Sequence, residues 1–321
     1  MYSFSELSKI FEERFDKRHF PDNHQNLYDA AQYILNIGGK RVRPVAVLMA
    51  CELLQELNED AFNVAFAIEL FHNFSLIHDD IMDNAPLRRG MPTVHEKFSY
   101  NTAILAGDVM FAQAYDYLTR IDNKYVQSII KLFNQTSKEV CEGQQMDLDF
   151  EKMSSVKMDD YLEMIRLKTS VLLGASLQLG CIVGGGSKYN QEKLYNFGIN
   201  LGLAFQIQDD YLDVYGDSAK TGKQIGGDIL ANKKTFLLLH TINALDSKDN
   251  AELSAIMNAN PIDKIEKVMG FYAKADAANW AKQMQQHYFE KAMQYLDEVT
   301  VISKRKEELA GLAVMLMNRT S

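Results

Sequence analysis

The 321 residues, 47% hydrophobic and 24% charged, have the balance of a globular chain, and no apolar run approaches the ~18 residues of a bilayer span. A formal charge of -9 makes nucleic acid a poor partner and suits a protein that holds cations. Three scattered cysteines, Cys51, Cys141 and Cys181, lack CxxC or CxH spacing, which speaks for reduced thiols in a cytoplasmic compartment and against a disulfide framework or zinc site.

The N-terminus, MYSFSELSKIFEERFDKRHF, alternates charged and apolar residues at helical spacing and does not read as a secretory signal. From 60 to 83 the apolar residues Phe62, Ala65, Phe66, Ile68, Leu70, Phe71, Phe74 and Ile77 recur every three or four positions, which predicts a helix. The stretches 100–119, 124–150, 157–183, 188–214 and 275–296 read the same way, several of them apolar on more than one face. Breaks fall at NIGGK (36–40), NAPLRRGMP (84–92), GGGSK (184–188), YGDSAKTGKQIGGD (215–228) and NANP (258–261). With five prolines, few period-two runs and no composition shift, residues 1–321 read as one all-α domain, a large helical bundle.

Two stretches break the apolar pattern in the same way. LIHDDIMD (76–83) and IQDDYLDVYGD (207–217) each end a greasy helix with Asp-Asp-x-x-Asp. Positions i and i+4 share a helix face, so Asp79 and Asp83 project together with Asp80 alongside, and Asp209, Asp210 and Asp213 repeat that geometry. Carboxylates aligned like this repel one another unless a cation joins them. Magnesium takes one or two protein carboxylates and fills its other positions with water and phosphate. An EF-hand is excluded, because neither cluster has the D-x-D-x-D-G spacing or the closing Glu.

A polyphosphate also calls for basic loops. GGKRVRP (38–44) offers Lys40, Arg41 and Arg43 on a Gly-flanked turn that leads into a helix. PLRRGMPTVH (86–95) places Arg88 and Arg89 just after the first cluster, and TGKQIGGD with NKKTF adds Lys223, Lys233 and Lys234 after the second.

Together GGKRVRP, HDDIMDNAPLRRGMPTVH, LAGDVMF, GQQMDL, RLKTS, FQIQDDYLDVYGD and GKQIGGDI, in that order, resemble the trans-type isoprenyl diphosphate synthases, the polyprenyl synthetase family, from about residue 36 to 240. The resemblance implies the type I isoprenoid synthase fold around a central apolar cavity. It also implies a prenyltransferase that joins isopentenyl diphosphate to an allylic diphosphate (dimethylallyl, geranyl or farnesyl) through a carbocation. In that family three magnesium ions hold the allylic diphosphate between the two Asp motifs. Carried over by position, Asp79, Asp83 and Asp209 are implied as direct ligands, and Asp80, Asp210 and Asp213 as direct or water-mediated ones. Asp147 and Asp228 fall at supporting acids. Arg88, Lys168, Lys223 and Lys233 would contact the allylic diphosphate, and Lys40, Arg43, His72 and Arg89 the isopentenyl diphosphate. Thr169 and Gln206, with the Lys168 carbonyl, would turn oxygen dipoles to the cation. A homodimer is the family's usual assembly.

In such enzymes the helix ending in the first Asp motif lines a tunnel for the growing chain. Phe74 lies roughly 7–8 Å along that helix from Asp79, at ~1.5 Å per residue. Its ring would act as floor, with small Ser75 beside it and Phe71 a turn deeper. This pattern resembles synthases that stop at C20, geranylgeranyl diphosphate. A C15 or a C25 and longer product, a non-catalytic subunit of a heteromeric synthase and a terpene cyclase are the alternatives. The last two would need departures in the Asp and Arg motifs that this sequence does not show.

Overall fold

Side-chain caps mark several of the helix starts in the computed structural model, which describes residues 1–216 and 225–318. Ser3 accepts from the backbone N–H of Glu6, and Glu6 accepts in return from that of Ser3, opening α1 (Phe4–Phe15). Asn58 caps α4 (Glu59–Met82) through Ala61 N–H, and Ser99 caps α6 (Tyr100–Leu118) through Thr102 N–H. Each cap satisfies an N–H that the helix itself cannot, and Glu59 and Asp60 in the first turn of α4 sit well with its dipole.

The remaining helices are α2 (Gln25–Asn36), α3 (Val42–Glu52), α5 (Val94–Lys97), α7 (Asn123–Lys152), α8 (Met158–Ile165), α9 (Val171–Val183) and α10 (Lys188–Tyr215). After residue 224 come α11 (Gly227–Leu230), α12 (Phe236–Ala244), α13 (Ser247–Ala259), α14 (Lys264–Lys274), α15 (Ala277–Asp297) and α16 (Ser303–Met317). The chain is all-α, as its periodicity predicts, and the helix bounds fall close to the predicted ones. Two features depart from the simple reading. The stretch 157–183 is not one α-helix, because a π-helical turn, Arg166–Ser170, joins α8 to α9. The loop 84–92 holds a small hairpin, β1 (Leu87–Arg88) antiparallel to β2 (Met91–Pro92). Its two turn residues, Arg89 and Gly90, both have positive φ, 52° and 77°, as a tight two-residue hairpin requires.

The chain divides into two compact units. One comprises Met1–Gln135, Ala175–Tyr195 and Val299–Glu308, the other Thr136–Gly174, Asn196–Glu298 and Leu309–Ser321. In the first, α4 lies along α6 and against α3. Pro44 to Cys51 of α3 are all buried, as expected of a helix that is apolar all round. Gly180 of α9 sits against α3 so closely that a Cβ there would lie 2.1 Å from the Val47 carbonyl oxygen, so only glycine permits this approach. In the second unit, the rings of Phe236 and His240 on α12 stack on Trp280 of α15, at 4.3 and 4.0 Å.

Burial pushes the Cys51 thiol up to about 11 and the Cys181 thiol up to about 12, and neither side chain reaches solvent. Peptide mapping after alkylation at pH 8 should therefore find both unmodified in the native protein and both labelled once guanidinium unfolds it.

Candidate active site

Each Asp triad divides its carboxylates in the same way. At the end of α4, Asp79 is half-buried and Asp83 exposed, while Asp80 turns inward and is only 1% exposed. Arg88 meets Asp80 there: its Nε lies 3.0 and 2.8 Å from the two carboxylate oxygens and its Nη2 2.6 Å from Oδ1. A buried carboxylate is tolerable only with such a partner. At the end of α10, Asp209 and Asp213 are half-buried and Asp210 turns inward. Asp210 is held by the Tyr161 hydroxyl at 2.5 Å and the Phe236 backbone N–H at 2.9 Å, both on Oδ2, and by Gln206 Nε2 at 3.4 Å on Oδ1. Burial pushes its carboxyl up to about 7, against the pull of those donors.

The basic loops of the first unit come together. Arg89 lies on Gly39 so closely that a Cβ there would be 2.7 Å from its guanidinium. Arg43 Nη1 donates to His72 Nε2 at 3.2 Å. Burial, then Arg43, Arg89, Arg88 and Arg41, hold His72 well below the usual imidazole value, so it stays neutral and accepts. Arg41, in the same turn, points elsewhere: it is buried and pairs with Glu69 and the Leu35 carbonyl. Lys40 is exposed. Arg41 and Arg89 both adopt left-handed φ, 50° and 52°. Such strain persists in an L-residue only where its surroundings over-determine it.

In the second unit, the start of α11 lies against the end of α10. Asp213 accepts from Asp228 N–H at 3.1 Å through its side chain, and from Gly226 N–H at 2.7 Å through its backbone. Lys233 is exposed, its Nζ 3.7 Å from Asp228. Lys168 Nζ meets Asp147 Oδ2 at 2.6 Å. Thr169 Oγ1 donates to Gln206 Oε1 at 3.3 Å. Lys223 lies outside the described residues.

Lys168 and Thr169 belong to the π-helical turn, and two glycines make room for it. A Cβ on Gly143 of α7 would lie 2.3 Å from the Lys168 nitrogen, and one on Gly202 of α10 would lie 2.7 Å from Ser170. A π turn departs from the i→i−4 pattern, and such turns recur at functional sites.

The floor predicted from α4 is larger than one ring. Phe74 stacks on Phe111 of α6 at 5.0 Å and 16°, and Phe71 touches Phe74, Phe111 and Phe133. Tyr115 closes the group against Phe133 and hydrogen-bonds Asn134. Ser75 spends its hydroxyl on the His72 carbonyl at 2.8 Å. His78 lies over Gly107 with its Nε2 3.2 Å from the Ile104 carbonyl, a packing role. Sequence reasoning missed Tyr161, Glu69, Phe111, Phe133 and the two glycines. Glu69 alone left a signal, as a single acid within the apolar AIELF of α4.

Among the described residues no three His, Cys, Asp or Glu side chains close into a metal cage. The outward pairs Asp79/Asp83 and Asp209/Asp213 fit magnesium nonetheless, since that ion draws most of its ligands from water and phosphate.

Two outcomes test this geometry. Gly143→Ala should destabilise by about 1–3 kcal/mol, seen as a lower Tm, because α7 must move off the π turn. His72 adds a pH term. An unfolded imidazole takes a proton near 6.5 and the buried one does not, so stability is full above that value and is lost as pH falls below it. His72→Gln should flatten that slope in a Tm-against-pH series.

The profile of the polyprenyl synthetase family matches residues 24–275. The short chain isoprenyl diphosphate synthase of Methanocaldococcus jannaschii is 42% identical over 260 residues, 80% of this chain and 78% of that one. The geranylgeranyl pyrophosphate synthase of Geoglobus acetivorans is 37% identical over 97% of both chains. A crystal structure of a geranylgeranyl pyrophosphate synthase superposes with a TM-score of 0.95 at 41% identity, covering 100% of each chain. With most of its length inside the family's profile, and these likenesses in sequence and in structure, the chain belongs to the polyprenyl synthetase family.

Proposed function

We propose that the protein is a magnesium-dependent trans-prenyltransferase that condenses isopentenyl diphosphate head-to-tail with an allylic diphosphate, and that its product is C20 geranylgeranyl diphosphate. The observation that carries this reading is the gathering of Arg43, Arg88 and Arg89 around a neutral His72, beside an Asp pair at i and i+4. Burial first, and then the neighbouring guanidiniums against the pull of Glu69, lower the proton affinity of Arg43 and Arg89, which both keep their charge. A multiply charged anion relieves that repulsion. The named relatives, geranylgeranyl and short-chain isoprenyl diphosphate synthases, act on such anions.

Magnesium, held by Asp79, Asp83, Asp209 and Asp213, would supply charge neutralisation to the allylic diphosphate. Arg88, Lys168 and Lys233 hold that diphosphate as its C1–O bond breaks and the electron pair leaves with it. Lys223 belongs to the same set by its motif position. Lys40, Arg43 and Arg89 hold isopentenyl diphosphate, with His72 orienting Arg43. The Thr169 and Gln206 oxygens and the Lys168 carbonyl face the allylic cation and lower its energy. The alkene of isopentenyl diphosphate then forms the new C–C bond, and the released diphosphate takes the proton whose loss restores an alkene. Apolar walls keep water from the cation.

Product length follows from the ring group under α4. Phe74 stops the chain, and Ser75 leaves more room beside it than a second aromatic would. No helix among the described residues is long and apolar enough to cross a membrane. We propose a cytoplasmic homodimer, for which the exposed apolar residues Tyr100, Ile104 and Leu105 of α6 offer a surface.

Incubation with magnesium, isopentenyl diphosphate and each allylic primer, followed by mass spectrometry of the dephosphorylated products, should give a dominant C20 alcohol, also from farnesyl diphosphate. Phe74→Ala should lengthen the product by one or more C5 units. A C15 stop in the wild type would overturn the floor assignment, and no elongation from any primer would overturn the activity.

A further inference from the structure

Asp80 and Asp210 occupy the same place in their triads, but their partners differ in charge. Asp80 faces the guanidinium of Arg88, so the pair is neutral. Among the described residues Asp210 is held by neutral donors: the Tyr161 hydroxyl, the Phe236 N–H and the Gln206 amide. When ionised, a buried carboxylate held by neutral groups keeps its negative field, and in a low-dielectric interior that field reaches further than in water.

The hydrogen bonds also have a direction. Oδ2 is filled by Tyr161 and Phe236, which leaves Oδ1 to the Gln206 amide nitrogen. The amide nitrogen donates to Asp210, so the Gln206 oxygen points away from it and accepts the Thr169 proton. With its only proton committed, the Thr169 hydroxyl has lone pairs to offer on its other side. Both hydrogen bonds of the Thr169–Gln206–Asp210 chain run toward Asp210, and its outer end, the Thr169 oxygen, is electron-rich. Thr169 itself sits on the π turn fixed by Gly143 and Gly202.

We propose that Asp210 and Tyr161 are positioning residues of the prenyl transfer, setting the polarity of the Gln206–Thr169 chain so that electron-rich oxygen faces the allylic cation, and that Asp210 is not a magnesium ligand. This rests on the prenyltransferase reading above. The π-turn oxygens can stabilise a cation only while Gln206 keeps one orientation, and Tyr161 and the Phe236 N–H hold the carboxylate that selects it. Both oxygens of Asp210 are already engaged, and a turn toward metal would break the Tyr161 contact and leave the first N–H of α12 without its acceptor. Asp209 and Asp213, at i and i+4, share a face that Asp210 does not.

The test compares wild type, Tyr161→Phe and Asp210→Asn at pH 8. It measures kcat, KM for both diphosphates, the magnesium half-saturation and the share of turned-over allylic diphosphate that ends as alcohol rather than elongated chain. The Phe variant keeps the ring against Phe236 and removes only the hydroxyl. Expected are falls in kcat of about tenfold for Tyr161→Phe and about a hundredfold for Asp210→Asn, with KM and magnesium half-saturation within about twofold. The alcohol share should rise in both. That share counts only molecules turned over, so it does not depend on how much variant folds. A raised magnesium half-saturation in Asp210→Asn would make Asp210 a ligand and overturn the proposal. So would a change in KM alone, or wild-type kcat and alcohol share in both variants. A wild type that elongates no primer overturns the underlying reading and this proposal with it, whereas an active wild type with indifferent variants overturns only this proposal.

Discussion

A carboxylate cannot leave water alone, and this constraint organises the molecule more than any other. Glu69, Asp80 and Asp210 are all buried acids on long helices, and each is met by a partner from outside its own helix. Arg41 reaches Glu69 and fixes the turn before α3. Arg88 reaches Asp80 and fixes the hairpin after α4. Tyr161 and the first N–H of α12 reach Asp210. Removing one partner of a buried ion pair leaves an uncompensated charge, at about 3–5 kcal/mol. These contacts therefore hold loops that would otherwise be free segments between helices.

The same logic explains why an Asp triad needs three members. On a helix the first and fourth-following positions share a face, and the residue next to the first lies about 100° round. Two outward carboxylates suit a metal. The third, turned inward, locks the helix end to a neighbouring element so that the outward pair has a fixed direction. In the first triad the lock is a cation and also brings Arg88 close to the outward pair. In the second the lock is made of neutral donors, the Tyr161 hydroxyl, the Phe236 N–H and the Gln206 amide.

Much of this was legible in the sequence. The period of 3.6 gives α4, α6, α7, α10 and α15 to within a few residues, and the breaks at 36–40, 184–188 and 258–261 match the helix ends. Arg43, His72 and Arg89 were singled out from motif position and are found together. Direction was not legible. Lys40, Arg41 and Arg43 read alike in GGKRVRP, yet Arg41 turns into the core because a single acid, Glu69, waits there. The π turn was hidden because RLKTS has the apolar spacing of its flanking helices, and the room for it comes from Gly143 and Gly202, far away in sequence. The rings that back Phe74 come from α6 and α7 and share no local pattern with it.

Left-handed arginines tie these observations together. Glycine could take the φ of Arg41 or Arg89 without strain, but it carries no charge. Gly38 and Gly90, each near one of these arginines, do adopt positive φ, so both turns already use glycine where conformation alone matters. The strained position in each turn keeps a guanidinium. Arg41 offsets that strain with a buried ion pair, which accounts for it structurally. Arg89 is exposed overall, with its guanidinium on Gly39, near enough to Arg43 and Arg88 for like charges to act on one another. Folding alone gives little reason for that arrangement. A multiply charged anion would turn the repulsion between Arg43 and Arg89 into binding energy, and this is the ground on which we propose a diphosphate there.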